Sequence, residues 1–201
     1  MTLYTELMSI AGAMTFLGIL LTWSLARAVE RVRLNRRGLS WLLLLGGLLT
    51  ALGFISVASN KGNGPVFWAV LLGPAFIAYA LAESNLVKAS PEMFLQSAMA
   101  FIAVVMRNSS SQGIAESFSA VSAVILMNAI PSYAYSPRKF ADLVRVASWL
   151  FVLFLLLENF PGFELASVLI YYISLSVWLY TLLRLHTFAK ERLITSVQEG
   201  L

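Results

Sequence analysis

Apolar residues fill seven stretches of this chain, and short polar loops separate one stretch from the next. An α-helix rises 1.5 Å per residue, so about 20 apolar residues cross the roughly 30 Å hydrocarbon layer of a bilayer. The pattern therefore predicts an all-α, polytopic transmembrane bundle of seven helices, forming one domain over residues 1–189 with a short cytoplasmic tail at 190–201. The predicted helices span residues 3–26, 39–59, 65–82, 91–106, 113–135, 141–160 and 164–186.

The basic residues between these stretches fall on alternate loops, which orients the predicted bundle. If the N-terminus lies outside, 12 of the 14 Lys and Arg residues face the cytoplasm, and only Lys61 and Arg107 lie outside. Cytoplasmic loops of membrane proteins carry an excess of Lys and Arg. We therefore expect the N-terminus outside, the C-terminus in the cytoplasm, and a location in the plasma membrane. The cytoplasmic set is Arg27, Arg31, Arg33, Arg36, Arg37, Lys88, Arg138, Lys139, Arg145, Arg184, Lys190 and Arg192.

The first cytoplasmic loop is the most basic part of the chain. It contains five arginines, which are Arg27, Arg31, Arg33, Arg36 and Arg37. Such a loop fixes orientation and also contacts anionic headgroups, so membrane lipids are an expected partner. These charges account for the sequence pI of about 9.6. No stacking platform or nucleic-acid module accompanies them, so we expect no nucleic-acid partner.

Composition excludes most cofactors. Hydrophobic residues make up 59% of the chain and charged residues 12%, with a mean hydropathy of +0.81. The sequence has no Cys and one His, His186. Thiolate metal sites, Fe–S clusters, a cysteine nucleophile and bis-His haem ligation within one chain are therefore excluded. The sequence also lacks a Gly-rich phosphate loop, a nucleophile elbow and an acidic metal cluster. We expect no cofactor, no metal site and no enzyme activity.

Cap and turn residues mark several predicted helix ends. Ser90 and Pro91 have the form of a helix start, with a capping Ser before a Pro at the first helical position. The segment Asn159-Phe-Pro-Gly162 predicts the turn between the sixth and seventh helices. The fourth stretch has only about 16 residues, which is short for a full crossing. A re-entrant fourth stretch would turn the basic loop 136–139 outward, so the charge pattern favours seven crossings.

Polar side chains in the fifth and seventh stretches form the candidate functional site. Helical spacing places Tyr171, Ser174 and Trp178 on one face and Tyr172 on another. Two interpretations follow. These groups either form hydrogen bonds between packed helices or line a polar pocket or path, with a kink at Pro131 that frees a backbone carbonyl. The members of this candidate pocket or path are Glu116, Asn128, Tyr171, Tyr172, Ser174 and Trp178.

Ionisable residues are rare within the predicted helices, and those present fall near helix ends. Asp142 and Arg145 lie three residues apart at the start of the sixth helix and predict a local ion pair. At the outer ends, four carboxylates form a rim that we hypothesise attracts cations. These four residues are Glu6, Glu116, Glu158 and Glu164.

The predicted outer loop after the fourth stretch contains a modification motif. Asn108-Ser109-Ser110 matches the N-glycosylation pattern, so Asn108 is a candidate glycan acceptor. The motif is short and frequent by chance. A glycan at Asn108 would independently support the expected topology, because only the outer side of the membrane is glycosylated.

The expected function follows from the topology and the lack of catalytic residues. Rhodopsin-like and receptor-like proteins share seven helices and an outside N-terminus, but the seventh stretch has no Lys to bind retinal. The sequence favours a non-enzymatic receptor-like sensory module, or an accessory subunit of a membrane complex, acting as a homo-oligomer or within a larger assembly. The alternative is a small-solute or ion channel or transporter with a polar path along the fifth and seventh helices.

Overall fold

A computed structural model describes residues 37–58, 72–73, 75–77, 79–80, 90–107, 111–133 and 138–198. These residues form six helices and no β-strand, which confirms the all-α prediction for the described part of the chain. The first predicted helix (3–26) lies outside the described residues, together with loop residues 27–36. The helices are α1 (Arg37–Ala58), α2 (residues 72–73, 75–77 and 79–80), α3 (Pro91–Arg107), α4 (Ser111–Tyr133), α5 (Arg138–Leu157) and α6 (Glu164–Gln198).

Local signals in the sequence account for the ends of α3 and α5. The Met93 N–H donates a hydrogen bond to the Ser90 hydroxyl at 3.1 Å, which confirms the predicted cap at the start of α3. α5 ends at Leu157, and the turn before α6 contains Gly162 with a φ of +92°. Residues with a Cβ rarely adopt this conformation. The predicted turn at 159–162 is therefore present, and glycine is required within it.

The last helix is longer than its apolar stretch. α6 has 35 residues, whereas the prediction ended the helix at His186. Its apolar part, Glu164–Arg184, has a mean hydropathy of 1.7, and the polar remainder contains neither Pro nor Gly up to Gln198. Hydropathy shows where a helix leaves an apolar medium, whereas the helix itself continues to a breaker or cap. Residues 190–198 of the predicted tail are therefore part of α6.

Helices α3, α4 and α5 pack against one another, α6 packs mainly on α5, and α1 packs on α4. α3 and α5 run parallel. Arg145, near the start of α5, lies beside Glu92 near the start of α3, and Glu158, after the end of α5, pairs with Arg107 at the end of α3. α4 returns between them in the opposite direction. α6 follows the tight turn at Gly162 and so runs antiparallel to α5.

Much of the described surface is apolar. Phe94, Leu165 and Met106 are 76%, 75% and 72% exposed, respectively. Exposed large apolar side chains in this number are unfavourable in water but are typical of helices that contact lipid or another protein. Within the described residues, Phe140–Leu157 of α5 and Glu164–Arg184 of α6 are long and apolar enough to cross a membrane.

α1 and α2 cross closely at two glycines. A Cβ added to Gly46 would lie 2.8 Å from the Gly73 carbonyl oxygen, and one added to Gly73 would lie 2.7 Å from the Thr50 backbone nitrogen. Real Cβ atoms do not approach backbone atoms so closely, so this crossing requires glycine on both helices. Leu43 and Ile77 are buried together beside the glycines and add apolar packing to the same contact.

Candidate functional site

Three polar side chains meet where α3, α4 and α5 pack together. The Asn128 Nδ2 of α4 donates to Gln96 Oε1 of α3 at 3.0 Å and lies 3.1 Å from Ser148 Oγ of α5. The Ser148 hydroxyl donates to the same Gln96 oxygen at 2.9 Å. We call Gln96, Asn128 and Ser148 the polar triad. It joins three helices through hydrogen bonds between uncharged groups.

Two members of the polar triad are fully buried, and Asn128 is partly buried. Gln96 and Ser148 are both 0% exposed, and Asn128 also donates to the Val124 carbonyl of its own helix at 2.9 Å. Away from water a hydrogen bond is stronger, and an unpaired polar group costs more free energy. The triad therefore specifies how the three helices meet more narrowly than apolar packing does. The Gln96 Nε2, also buried, has no hydrogen-bond partner among the described residues.

One helical turn before Gln96, charged groups join the same two helices. The Trp149 Nε1–H donates to Glu92 Oε1 at 2.9 Å, and Arg145 Nε lies 3.5 Å from Glu92 Oε2. Arg145 also lies 3.7 Å from Asp142, which confirms the predicted local pair. Because the Glu92, Asp142 and Arg145 side chains are at least 37% exposed, this end of the α3–α5 contact is open to its surroundings.

The opposite end of the α3–α5 contact is also polar. Arg107 forms an ion pair with Glu158. The neighbouring Asn159 amide donates to the Ala103 carbonyl of α3 at 3.1 Å and to the Leu155 carbonyl of α5 at 2.9 Å. α3 and α5 are thus joined by polar contacts at both ends and at the polar triad. We call this contact, from Glu92 to Arg107 on α3, the α3–α5 seam.

The candidate residues of the seventh stretch divide between buried and exposed positions. Tyr171, Ser174 and Trp178 are 1%, 0% and 3% exposed, whereas Tyr172 is 46% exposed. The Ser174 hydroxyl donates to the Ala147 carbonyl of α5 at 2.7 Å. The buried face of α6 therefore faces α5 and is held there by a hydrogen bond.

Aromatic contacts extend the α5–α6 interface. The Tyr171 ring lies 4.8 Å from the Phe154 ring, centroid to centroid, and 5.5 Å from the Tyr172 ring. Such tilted and edge-on arrangements suit the electrostatics of aromatic rings. Trp178 is buried about two helical turns beyond Tyr171, and its Nε1 has no hydrogen-bond partner among the described residues.

The residues of the candidate pocket or path lie in separate parts of the structure. Asn128 bonds to Gln96, Ser148 and Val124, on α3, α5 and its own helix, whereas the seventh-stretch residues lie on α6. Glu116 is 3% exposed and precedes Asn128 by about 18 Å along α4, at 1.5 Å per residue. The described hydrogen bonds of Asn128 therefore connect it to α3 and α5, two helices that the candidate set did not include.

Some candidate residues lie beyond what the structure describes. Asn108, Glu6 and the arginines of the basic loop are outside the described residues, except that Arg37 is the first residue of α1. Among the described residues, no group of three or more His, Cys, Asp or Glu side chains is placed to hold a metal ion.

Sequence reasoning missed Gln96 and Ser148, the partners of Asn128. Both residues lie in the fourth and sixth stretches, whereas the candidate polar residues were placed in the fifth and seventh. The available signal was a lone glutamine inside an apolar stretch, because a carboxamide there needs hydrogen-bond partners. That signal identifies Gln96 but not its partners, which are 32 and 52 residues away.

No protein-family model matches this chain, and no curated protein or solved structure matches it either.

Proposed function

We propose that this chain is a multi-pass integral protein of the plasma membrane, with seven crossings, its N-terminus outside and its C-terminus in the cytoplasm. Two observations support the proposal. The alternate-loop charge pattern divides the Lys and Arg residues 12 to 2, and α5 and α6 each contain a span of membrane-crossing length. In this orientation the Glu92 end of the α3–α5 seam faces the cytoplasm, and the Arg107 end faces outward.

Within that membrane setting, we propose a non-enzymatic component, either a receptor-like sensory module or an accessory subunit of a membrane complex. The supporting observation is that several buried polar side chains bond to neighbouring helices or to their own backbone. Ser148 bonds to Gln96, Ser174 to the Ala147 carbonyl, and Ser117 to the Gly113 carbonyl at 2.6 Å. Groups bonded in this way stabilise helix contacts and are not free to bind a passing solute.

The proposed partners are membrane lipids and either a second copy of the chain or a larger complex. An apolar stripe on α1 supports a lateral contact. Its members follow one another at helical spacing and are 36–53% exposed. Such a stripe is suited to lipid or to an apolar helix of another subunit. The members of the stripe are Trp41, Leu45, Leu48 and Leu52.

The second candidate function is a channel or carrier for a small solute or ion. One observation favours it. The buried Gln96 Nε2 has no partner among the described residues, and Gln96 follows the partly exposed Glu92 by one helical turn. A hydrogen-bond donor near an open end of a helix bundle is typical of a polar path for a solute or ion. The path would then follow the α3–α5 seam and differ from the one expected along the fifth and seventh stretches.

A flux measurement separates the two functions. We would reconstitute the purified chain in liposomes, follow urea and glycerol entry by stopped-flow light scattering, and follow ions with entrapped dyes. The proposed function predicts rates equal to those of empty liposomes. In parallel, purification in native lipid particles should recover either a second protein at a fixed ratio to this chain or more than one copy of the chain in each particle.

The matched variants for this measurement are Asn128→Leu and Ser122→Ala. Asn128 joins the polar triad, whereas among the described residues the buried Ser122 hydroxyl bonds only within its own helix, to the Phe118 carbonyl at 2.8 Å. Flux above the empty-liposome rate, lowered by Asn128→Leu and unchanged by Ser122→Ala, would contradict the proposed function and establish the channel or carrier.

A further inference from the structure

The polar triad fixes which way the Gln96 carboxamide points. The Val124 carbonyl accepts from Asn128 at 2.9 Å, so the nitrogen of the Asn128 carboxamide must lie on that side. The same nitrogen is 3.0 Å from the facing atom of Gln96. Two N–H groups facing each other would repel, so the facing Gln96 atom is its oxygen. The Ser148 hydroxyl donates to this oxygen as well. The Gln96 Nε2 therefore points away from the triad.

This Nε2 group is a buried donor with no partner among the described residues. Gln96 is 0% exposed, and an N–H pair left without an acceptor in such a place costs free energy. The cost disappears when an oxygen acceptor lies within hydrogen-bond distance of this nitrogen. The hydrogen bonds of Val124, Asn128 and Ser148 fix the orientation of the Gln96 carboxamide. Exchanging the positions of its nitrogen and oxygen would break these bonds, so a flip of the carboxamide does not remove the free-energy cost.

We propose that Gln96 Nε2 is the anchoring donor of an internal binding site for one uncharged oxygen acceptor, either a water molecule or the carbonyl or hydroxyl of a small neutral solute. The triad contains no ionised side chain, so nothing there offsets the desolvation of a charged ligand. The proposal does not depend on the proposed function, because the orphan donor follows from how α3, α4 and α5 pack.

The partly open end of the α3–α5 seam lies one helical turn from this site. Gln96 follows Glu92 by four residues, which is about 6 Å along the helix axis at 1.5 Å per residue. The side chains of Glu92 and Arg145 are 37% and 57% exposed. A water molecule or small solute that reaches these charged groups is therefore one helical turn from the Gln96 donor.

The site is tested by nuclear magnetic resonance of the full chain in lipid nanodiscs, with the glutamine side-chain nitrogens labelled. The spectrum is simple, because the chain contains only Gln96, Gln112 and Gln198. We expect the Gln96 Nε2 hydrogens to show a cross-peak to a long-lived water molecule, or a saturable shift on titration with urea as the neutral carbonyl probe. A water cross-peak that urea leaves unchanged identifies water, whereas its saturable replacement identifies a small-solute site.

Absence of both the water cross-peak and the saturable urea shift would overturn the proposal. The Gln96 side-chain signal is assigned by its absence from the spectrum of the Gln96→Met variant. Should that variant fail to fold, through-bond correlations from the wild-type side chain to the Gln96 backbone give the same assignment. In a second sample with the asparagine side-chain nitrogens labelled, the Asn128 carboxamide is the control. Its nitrogen already has acceptors in Gln96, Ser148 and Val124, so we expect no saturable shift of its own.

Discussion

Ser148 on α5 donates a hydrogen bond to Gln96 on α3 at 2.9 Å, although 52 residues separate the two in sequence. Both side chains are 0% exposed. The contact therefore closes a long loop of chain at a fully buried point and positions two parallel helices. Asn128 bonds to both residues from α4. Substitution of any of the three residues should therefore lower the stability of the whole group of helices.

We expect Ser148→Ala to lower the free energy of unfolding by about 1–2 kcal/mol, because it removes one hydrogen bond to Gln96 and one from Asn128 in a buried place. The measurement is a denaturation curve of the purified protein in detergent, followed by intrinsic tryptophan fluorescence.

Ser122→Ala is the matched control for this prediction. Ser122 is 1% exposed, and within the described part of the chain its hydroxyl bonds only to the Phe118 carbonyl of the same helix. Such back-bonding contributes little to stability, so the expected loss is below about 0.5 kcal/mol. Equal losses of unfolding free energy for Ser148→Ala and Ser122→Ala would show that the hydrogen bonds of Ser148 to other helices add no more stability than a bond within one helix.

The glycine crossing of α1 and α2 should not tolerate a side chain. We expect Gly73→Ala to cost about 1–3 kcal/mol, because its Cβ would meet the Thr50 backbone nitrogen at 2.7 Å and the helices would have to separate. Leu52→Ala, at a position 53% exposed on α1, should change stability far less. Thermal unfolding of both variants in the same detergent checks the difference. A Gly73→Ala protein as stable as wild type would contradict the close crossing.

The Arg107–Glu158 ion pair should contribute measurable coupling between the ends of α3 and α5. Its side chains are 33% and 11% exposed, so solvent screens it only in part, and we expect a coupling energy of about 1 kcal/mol. The measurement is a double-mutant cycle with Arg107→Gln and Glu158→Gln, which isolates this pair from other contacts of either residue. The coupling should fall as salt concentration rises.

A second cycle on Asp142 and Arg145 provides the comparison. These side chains are 69% and 57% exposed and lie 3.7 Å apart, and exposed pairs of this kind add little. We expect a coupling energy close to zero. Stronger coupling at Asp142–Arg145 than at Arg107–Glu158 would contradict the role assigned to burial.

Helix positions could be predicted from the sequence because their signals are local. The start of α3 follows from the Ser90 cap, and the turn at 159–162 follows α5, which spans Arg138–Leu157 and not the predicted 141–160. The extension of α6 beyond His186 was not predicted, because the apolar pattern ends near the proposed membrane boundary while the helix continues. Hydropathy reports the medium around a helix, and helix length depends on breakers.

The polar triad could be predicted only in part. Asn128 stands out in its sequence stretch as a carboxamide among apolar residues, but its partners lie on helices that come together only in the folded chain. Packing of α4 against α3 and α5 brings Gln96 and Ser148 to it. The buried face of α6 was easier to predict, because helical spacing alone places Tyr171 and Tyr172 on different faces of the helix.

The most direct test of the account is the side of the membrane on which each end of α5 and α6 lies. The chain has no natural Cys, so single substitutions give an unambiguous signal with a membrane-impermeant maleimide. The sites are Pro161→Cys in the turn after α5, Asp142→Cys near its start, and Glu191→Cys in the extension of α6, all exposed positions. We predict that intact cells label only Pro161→Cys and that permeabilised cells label all three. Labelling of Asp142→Cys and Glu191→Cys but not Pro161→Cys in intact cells would invert the topology, and equal labelling of all three would show that these helices do not cross the membrane.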